Sequence, residues 1–369
     1  MRIPIIAASQ IKFGEFWEKG IRELIRESGE KAIKEAGLKS KDIGKLYIAN
    51  VFASKTNGQS LPSSVAFEEL GISNCACINA GDASGAAAIN EAANSILSGQ
   101  SNVAMVLGVE KISDFKTNKI YSLSSELIGQ EESFVGATVQ SQFAIMTRKY
   151  ANDFKINPNE LSFIPSKNHK NALGNENAQY IFELSEEKIA SSPLGADPLR
   201  MFDCASYCDG AAALIMCNEK MAKKLKSKIK GYLLASSIAS DSLSLSKRKS
   251  IIEMEATAKA VRDALGSAKL KQNDIDLLEV HDFAPVSEVM AVEDLGFCSK
   301  GKGLDFVKKN TQKINLSGGL KACGHALGAT GVRQAVDVLR LLKANDFKLG
   351  ITHTISGTGG LVVVNIFQR

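Results

Sequence analysis

Apolar and polar positions along this chain follow two periods. Over Ile21–Ala36 and Glu255–Ala268 apolar residues recur at helical spacing, which predicts two amphipathic helices. Short apolar runs predict strands at Met1–Ala7, before Phe52, at Cys75–Ile78, Val103–Leu107, from Gly231, before Phe283, and at Leu349–Ile355 and Leu361–Phe367. Two alanine- or valine-rich helices, Asp82–Leu97 and Ala326–Leu342, each follow a glycine turn. Short apolar strands alternating with helices imply an α/β protein with mainly parallel sheets buried on both faces. Between about Phe115 and Pro198 the pattern weakens, apart from a helix near Ala137–Phe154. This reads as a long insertion over the first half's sheet, placed to cover a binding site.

The pattern also repeats. Leu38-Lys39, Asp42-Ile43 and Leu46 precede one strand, and Leu270-Lys271, Asp274-Ile275 and Leu278 precede another. Each set follows an amphipathic helix and leads, after a variable insert, to a glycine turn and a helix. Two similar halves packed together follow, residues 1–225 carrying the insertion and 226–369.

Composition narrows the function classes. The 369 residues are 44% hydrophobic and 23% charged, with a formal charge of +5. Lysines cluster only at Lys223, Lys224, Lys226, Lys228 and Lys230, read as a solvated connector or, more sharply, a site for nucleotide phosphates. One Trp and no aromatic–basic interleaving argue against nucleic-acid binding. Seven scattered cysteines fit free thiols in a reducing compartment. The N-terminal apolar run is too brief for a signal peptide and no segment is long enough to span a membrane, so a cytoplasmic protein is expected.

Candidate chemistry gathers at glycine turns. In Asn79-Ala80-Gly81-Asp82-Ala83-Ser84-Gly85, strand, sharp turn and helix follow one another, a shape that exposes one side chain in the positive field of a helix N-terminus. Asp82 is either an N-cap, for which Asp is well suited, or the presented group. His325, in Gly324-His325-Ala326-Leu327-Gly328, lies on a glycine-flanked loop before a helix and is read as catalytic or substrate-binding. Glu279-Val280-His281-Asp282 ends a strand, where α/β sheets place ligands. His169 and His353 read as structural or surface residues. Ser356-Gly357-Thr358-Gly359-Gly360 is hairpin punctuation or a source of backbone donors for an oxyanion. No His/Cys/carboxylate spacing points to zinc, no metal is expected, and no Walker A or dinucleotide fingerprint is present.

Together these residues resemble the thiolase family, most nearly archaeal acetyl-CoA acetyltransferases and sterol-carrier-protein-type thiolases. The likeness runs nearly end to end, through Gly108-Val109-Glu110-Lys111, Lys167-Asn168-His169, Pro198-Leu199-Arg200, Asp209-Gly210-Ala211, His281-Asp282, Glu293-Asp294-Leu295-Gly296, Asn315-Leu316-Ser317-Gly318-Gly319 and Gly328-Ala329-Thr330-Gly331. It implies duplicated βαβαβαββ halves in a five-layered αβαβα arrangement, a loop domain over the site, and a homodimer or homotetramer. It also implies a coenzyme A thioester as substrate or ligand, with no resident cofactor. In the family a cysteine of a Cys-Ala-Ser-Gly element becomes acylated; here that element is Asp82-Ala83-Ser84-Gly85. His325 matches the histidine of a Gly-His-Pro element, with Ala326 replacing the proline. His281 matches the His-Asp element that helps form one oxyanion site, and Gly357 and Gly359 the glycine turn of the second. Asn315, Cys323 and Gly324 are the matching substrate-side positions, and Cys323 is the one other thiol near the histidine.

A thiolate is both a strong nucleophile and a good leaving group, whereas a carboxylate would form a mixed anhydride with no clear route onward. Three readings follow. The protein performs non-covalent acyl-CoA chemistry, as in cysteine-independent aldolases or lyases of this superfamily. Or it is a non-catalytic partner of a thiolase paralogue or of a small OB-fold zinc-ribbon protein. Or it is a conventional acetyltransferase using another thiol.

Overall fold

A computed structural model describes residues 1–225 and 229–369. Nine strands form the main sheet: β1 (Ile3–Gln10), β2 (Lys45–Ala49), β3 (Cys75–Ile78), β4 (Val103–Glu110), β5 (Gly210–Cys217), β6 (Gly231–Ser240), β7 (Leu277–Val280), β8 (Leu349–Ser356) and β9 (Leu361–Gln368). Their spatial order is β3-β2-β4-β5-β1-β6-β9-β8-β7. The order reads as one half followed by its mirror image, and Ile314, bridged to Leu278, stands where a counterpart of β3 would lie. Within the sheet the halves join through three register pairs, Ile3–Leu233 to Ile5–Gly231.

Four helices set the layers: α1 (Ile21–Ala36), α2 (Ser84–Leu97), α3 (Glu255–Ala268) and α4 (Leu327–Ala344). α1 packs outside the first half and α3 outside the second, while α2 and α4 touch each other and strands of both halves. This is the five-layered αβαβα arrangement. Strand parity explains the two-sided burial. Met105, Leu107 and Val109 of β4 face the α1 layer, and Ala104 and Val106 face the central helices. The repeat is also visible in the turns, where the N–H of Lys39 donates to Asp42 Oδ2 and that of Lys271 to Asp274 Oδ2, both at 2.8 Å.

Two expectations need correcting. The sheet is mixed rather than mainly parallel: only β2–β3, β2–β4 and β7–β8 are parallel. A tight hairpin such as Ser356–Leu361 can join only antiparallel strands, and in each half the long first strand also pairs antiparallel to the last. The insertion leans on both halves rather than on the first alone: Ile120 and Leu123 pack with Val51 and Phe52 of the first half, and its longest helix packs on the second. Its helix Val139–Phe154 buries Phe143, Met146 and Tyr150 in one core with Phe283 and Met290, and the Phe143 and Phe283 rings stack at 5.6 Å. Its apolar face had its partner in the helix Pro285–Asp294, which is buried along its whole length. The boundary expected between residues 225 and 226 falls at the edge of the described residues, and two lysines of the basic cluster, Lys226 and Lys228, lie outside them. No helix among the described residues is long and apolar enough to cross a membrane.

Candidate active site

The two central helices meet at their N-terminal ends, and glycine makes the approach possible. A Cβ on Gly331 would stand 2.4 Å from the Ala86 nitrogen, and one on Gly85 2.7 Å from the Gly328 oxygen. Asp82 lies two residues before α2 and His325 two residues before α4, so the crossing brings equivalent positions of the two halves together. Oδ1 of Asp82 is 3.2 Å from His325 Nε2, and Oδ2 accepts the Gly357 N–H at 2.8 Å. Asp82 is 3% exposed.

Asp82 is not the helix cap that its local sequence suggested. The N-cap is Ala83, without a side-chain bond. Ser84 closes the turn instead, accepting the Ala80 N–H at 2.8 Å and donating to the Gly81 carbonyl at 2.5 Å. The Asp82 carboxylate is thereby free to point across the helix junction.

His325 is held on three sides. Its N–H donates to Ser206 O, its carbonyl accepts the Cys208 N–H, and Nδ1 lies 2.8 Å from Thr330 Oγ1. The Tyr207 ring packs beside it at 5.5 Å. His281 stands edge-on to His325 at 5.2 Å, just beyond β7, with Nδ1 buried and without a hydrogen-bond partner. Burial, then the neighbouring His325, holds the His281 imidazole well below its ordinary pKa. It is therefore a neutral ring, suited to donating to a developing oxyanion. Ligand-type atoms of Asp82, His281 and His325 all lie within 4.8 Å of one another.

The remaining sequence candidates divide. Gly357, at φ +57, supplies a backbone donor as expected of that turn, but the donor is engaged by Asp82. Gly359 does not join it, because its N–H closes the turn onto Ser356 O. Asn315 is buried and does not face the cluster: Oδ1 accepts the Val280 N–H at 2.8 Å and Nδ2 donates to Glu288 at 2.7 Å, so the amide ties β7 to the helix Pro285–Asp294. Cys323 points away from the cluster into a nest of Ala172, Ala178 and Ala322. Burial pushes its thiol up to about 12, which removes it as a rival nucleophile. Gly324 packs against Gln179 and Cys208 and serves to position His325. His169 and His353 are both buried, the first stacked on Tyr180 and tilted against Phe182, the second 3.0 Å from Thr257 Oγ1.

Three contributors were assigned no role from sequence, Glu110 and Thr330 having stood there only as parts of matching motifs. Glu110 accepts the N–H groups of Val51, Phe52 and Gly328, tying α4 to the first half. An acidic residue at the end of an otherwise apolar strand is the signal that marks it. Thr330 fixes the His325 ring, and its sign is a hydroxyl one helical turn beyond the histidine. Tyr207 also lines a cavity of about 470 Å³ with Trp17, Lys116, Tyr121 and Tyr180, so one face meets His325 and another an open space. A larger cavity of about 980 Å³ lies away from these groups, beside Gln10, Lys230, Tyr232 and Arg340.

Known proteins resemble this chain along its length. The family model described as "Thiolase, N-terminal domain" matches residues 3–220, and "Thiolase C-terminal domain-like" matches residues 237–369. An acetyl-CoA acetyltransferase of Methanothermobacter thermautotrophicus is 36% identical over 384 residues, covering 100% of this chain and 99% of the relative. Bovine sterol carrier protein 2 is 28% identical, covering all of this chain and 72% of its own length. Among solved structures, an acetyl-CoA acetyltransferase from Syntrophomonas wolfei superposes with a TM-score of 0.82 at 19% identity, covering 100% and 99% of the two chains. An "Ltp2-ChsH2(DUF35) aldolase" does so at 0.82 and 17% identity, covering 99% and 97%.

Proposed function

This chain belongs to the thiolase family, and we propose that it binds acyl-CoA thioesters at the Asp82–His281–His325 cluster and works on them without a covalent acyl-enzyme. The observation that carries this reading is the double engagement of Asp82. One oxygen is bonded to the Gly357 N–H and the other faces His325. Both oxygens are held in place by these contacts, and attack through either would give a mixed anhydride with no clear route to collapse again, whereas accepting a proton remains open to the carboxylate. The Gly357 donor that the family resemblance assigns to an acyl oxyanion is taken up by the side chain itself.

The chemistry that fits is reversible aldol-type cleavage of a 3-hydroxyacyl thioester. Asp82 accepts the proton of the 3-hydroxyl group, and the C2–C3 electron pair moves to the thioester as an enolate. The His281 and His325 rings donate to the enolate oxygen. The released carbonyl product carries C3, and the proton that Asp82 took is delivered to C2, completing the acyl-CoA. The aldolase among the structural neighbours supports only the capacity of the fold.

A direct comparison of the parent with Asp82→Cys tests this. The parent should cleave 3-hydroxyacyl-CoA and show thiolysis of acetoacetyl-CoA about 10⁴-fold or more below the variant, the scale on which covalent catalysts lose rate with their nucleophile. Brisk thiolysis by the parent, or an acyl group trapped on it, ends the proposal.

One observation favours a partner-bound form. Phe134 and Val135 of the insertion are 91% and 81% exposed, neighbours that suit burial by another protein such as an OB-fold zinc-ribbon protein or a thiolase paralogue. All seven cysteines are free, in keeping with the reducing cytoplasm proposed for it.

A further inference from the structure

We propose that Asp82, His281 and His325 together hold one divalent first-row transition-metal ion. The three side chains come from three separate loops and converge in a buried space, at 3%, 1% and 0% exposure. Two imidazoles and one carboxylate, leaving several positions open, form a donor set suited to zinc, iron, cobalt or nickel rather than to magnesium or calcium, which prefer oxygen cages.

Distances agree with a shared ion. Ligand atoms about 2.1 Å from a metal stand about 3.0–3.4 Å apart, and the Asp82–His325 pair is already at 3.2 Å. The other separations are at most 4.8 Å, so a side-chain movement of about 1.5 Å or less closes the set. The surroundings have the form that orients ligands. Thr330 Oγ1 engages His325 Nδ1, which turns Nε2 toward Asp82. The Gly357 N–H fixes the second Asp82 oxygen. Metal-bound imidazoles and carboxylates are characteristically held in this way by hydrogen bonds on their far side. The His281 ring is buried with an unpartnered nitrogen, a cost that hydrogen bonding within the cluster leaves standing.

Replacement of a family cysteine by Asp82 thus has a second consequence besides loss of an acyl carrier. It completes a two-histidine, one-carboxylate set. In the metal-loaded protein the ion, rather than the ligating imidazole nitrogens, would meet a thioester oxygen at an open position, and this clause alone rests on the acyl-CoA reading above. Capture of the ion itself does not.

The test uses the full chain, stripped with a chelator and titrated with Co²⁺ alone, with no thioester present. The expected result is one Co²⁺ per chain with visible d–d absorption. Asp82→Asn, a near-isosteric change, should weaken binding at least about 100-fold, and Thr330→Val about 10- to 100-fold, the range found for groups behind a ligand. Thermal unfolding of each metal-free variant checks that the fold persists. Absence of stoichiometric Co²⁺, or binding that Asp82→Asn leaves unchanged, overturns the proposal. Co²⁺ binding by a chain that ignores acyl-CoA would uphold the metal site and remove the acyl-CoA function. Acyl-CoA turnover by a chain that binds no Co²⁺ would do the reverse.

Discussion

Gly357 satisfies two demands at one position. Its backbone lies at φ +57, and a Cβ there would come within 2.2 Å of the Leu127 carbonyl. Gly357→Ala is therefore expected to destabilise the fold by about 1–3 kcal/mol and to pull the N–H away from Asp82. Urea unfolding measures the first effect, and an unchanged midpoint would show that the turn is not constrained as described. At this scale the sequence was a partial guide. Asp82, His281 and His325 stood out because each sits on a turn or strand end with unusual polar company, and the structure brings these three together. The N-cap reading of Asp82 failed because capping preference is local, whereas the carboxylate is claimed by groups 243 and 275 positions away. Asn315 was ambiguous for a similar reason. A polar side chain in a glycine turn can face a ligand or brace the neighbouring strand, and periodicity does not distinguish the two.

The elements around the site are joined by a buried acid. Glu110 closes β4 and accepts backbone N–H groups from the loop after β2 and from the start of α4. Burial raises its pKa to about 7, partly offset by those hydrogen bonds. A carboxyl group whose folded pKa lies above its unfolded value keeps its proton longer in the folded chain. Its contribution is then fully present below about pH 4.5 and is lost as pH rises through about 7. Glu110→Gln should flatten this part of the stability profile, and the readout is the difference between parent and variant midpoints across that window. Buried Glu279 and Asp282 act in the same direction in both proteins, so the difference isolates Glu110. An identical slope in the two proteins would remove the assignment. Helix limits were legible where amphipathic spacing is strong: α1 and α3 match the sequence pattern end to end. Strand direction was not, because an apolar run buried on both faces looks the same in parallel and antiparallel neighbours.

Duplication gives the whole molecule its layers, but the two ends of the sheet are treated differently. At the β7 end the chain covers itself: Leu278 donates to Lys313 O, and Asn315 donates to Leu278 O. At the other end β3 pairs only with β2 among the described residues, and Cys77 is exposed. An open strand edge is a liability unless something pairs with it, and a four-residue strand meeting its own copy about a two-fold axis is the simplest solution. The chain is accordingly expected to form a homodimer through β3, or a tetramer built from such dimers, with both Asp82 loops close behind the joined edges. Cys77→Arg places a charged side chain on the strand where the two copies would meet. Light scattering on the eluting protein should show the parent as a dimer or larger and the variant shifted toward monomer, with secondary structure retained by circular dichroism. Because Asp82 lies four residues beyond Ile78, the same substitution should also lower affinity for acyl-CoA if the dimer steadies that loop. A parent that elutes as a monomer would leave the β3 edge free, and covering it would then fall to a different protein.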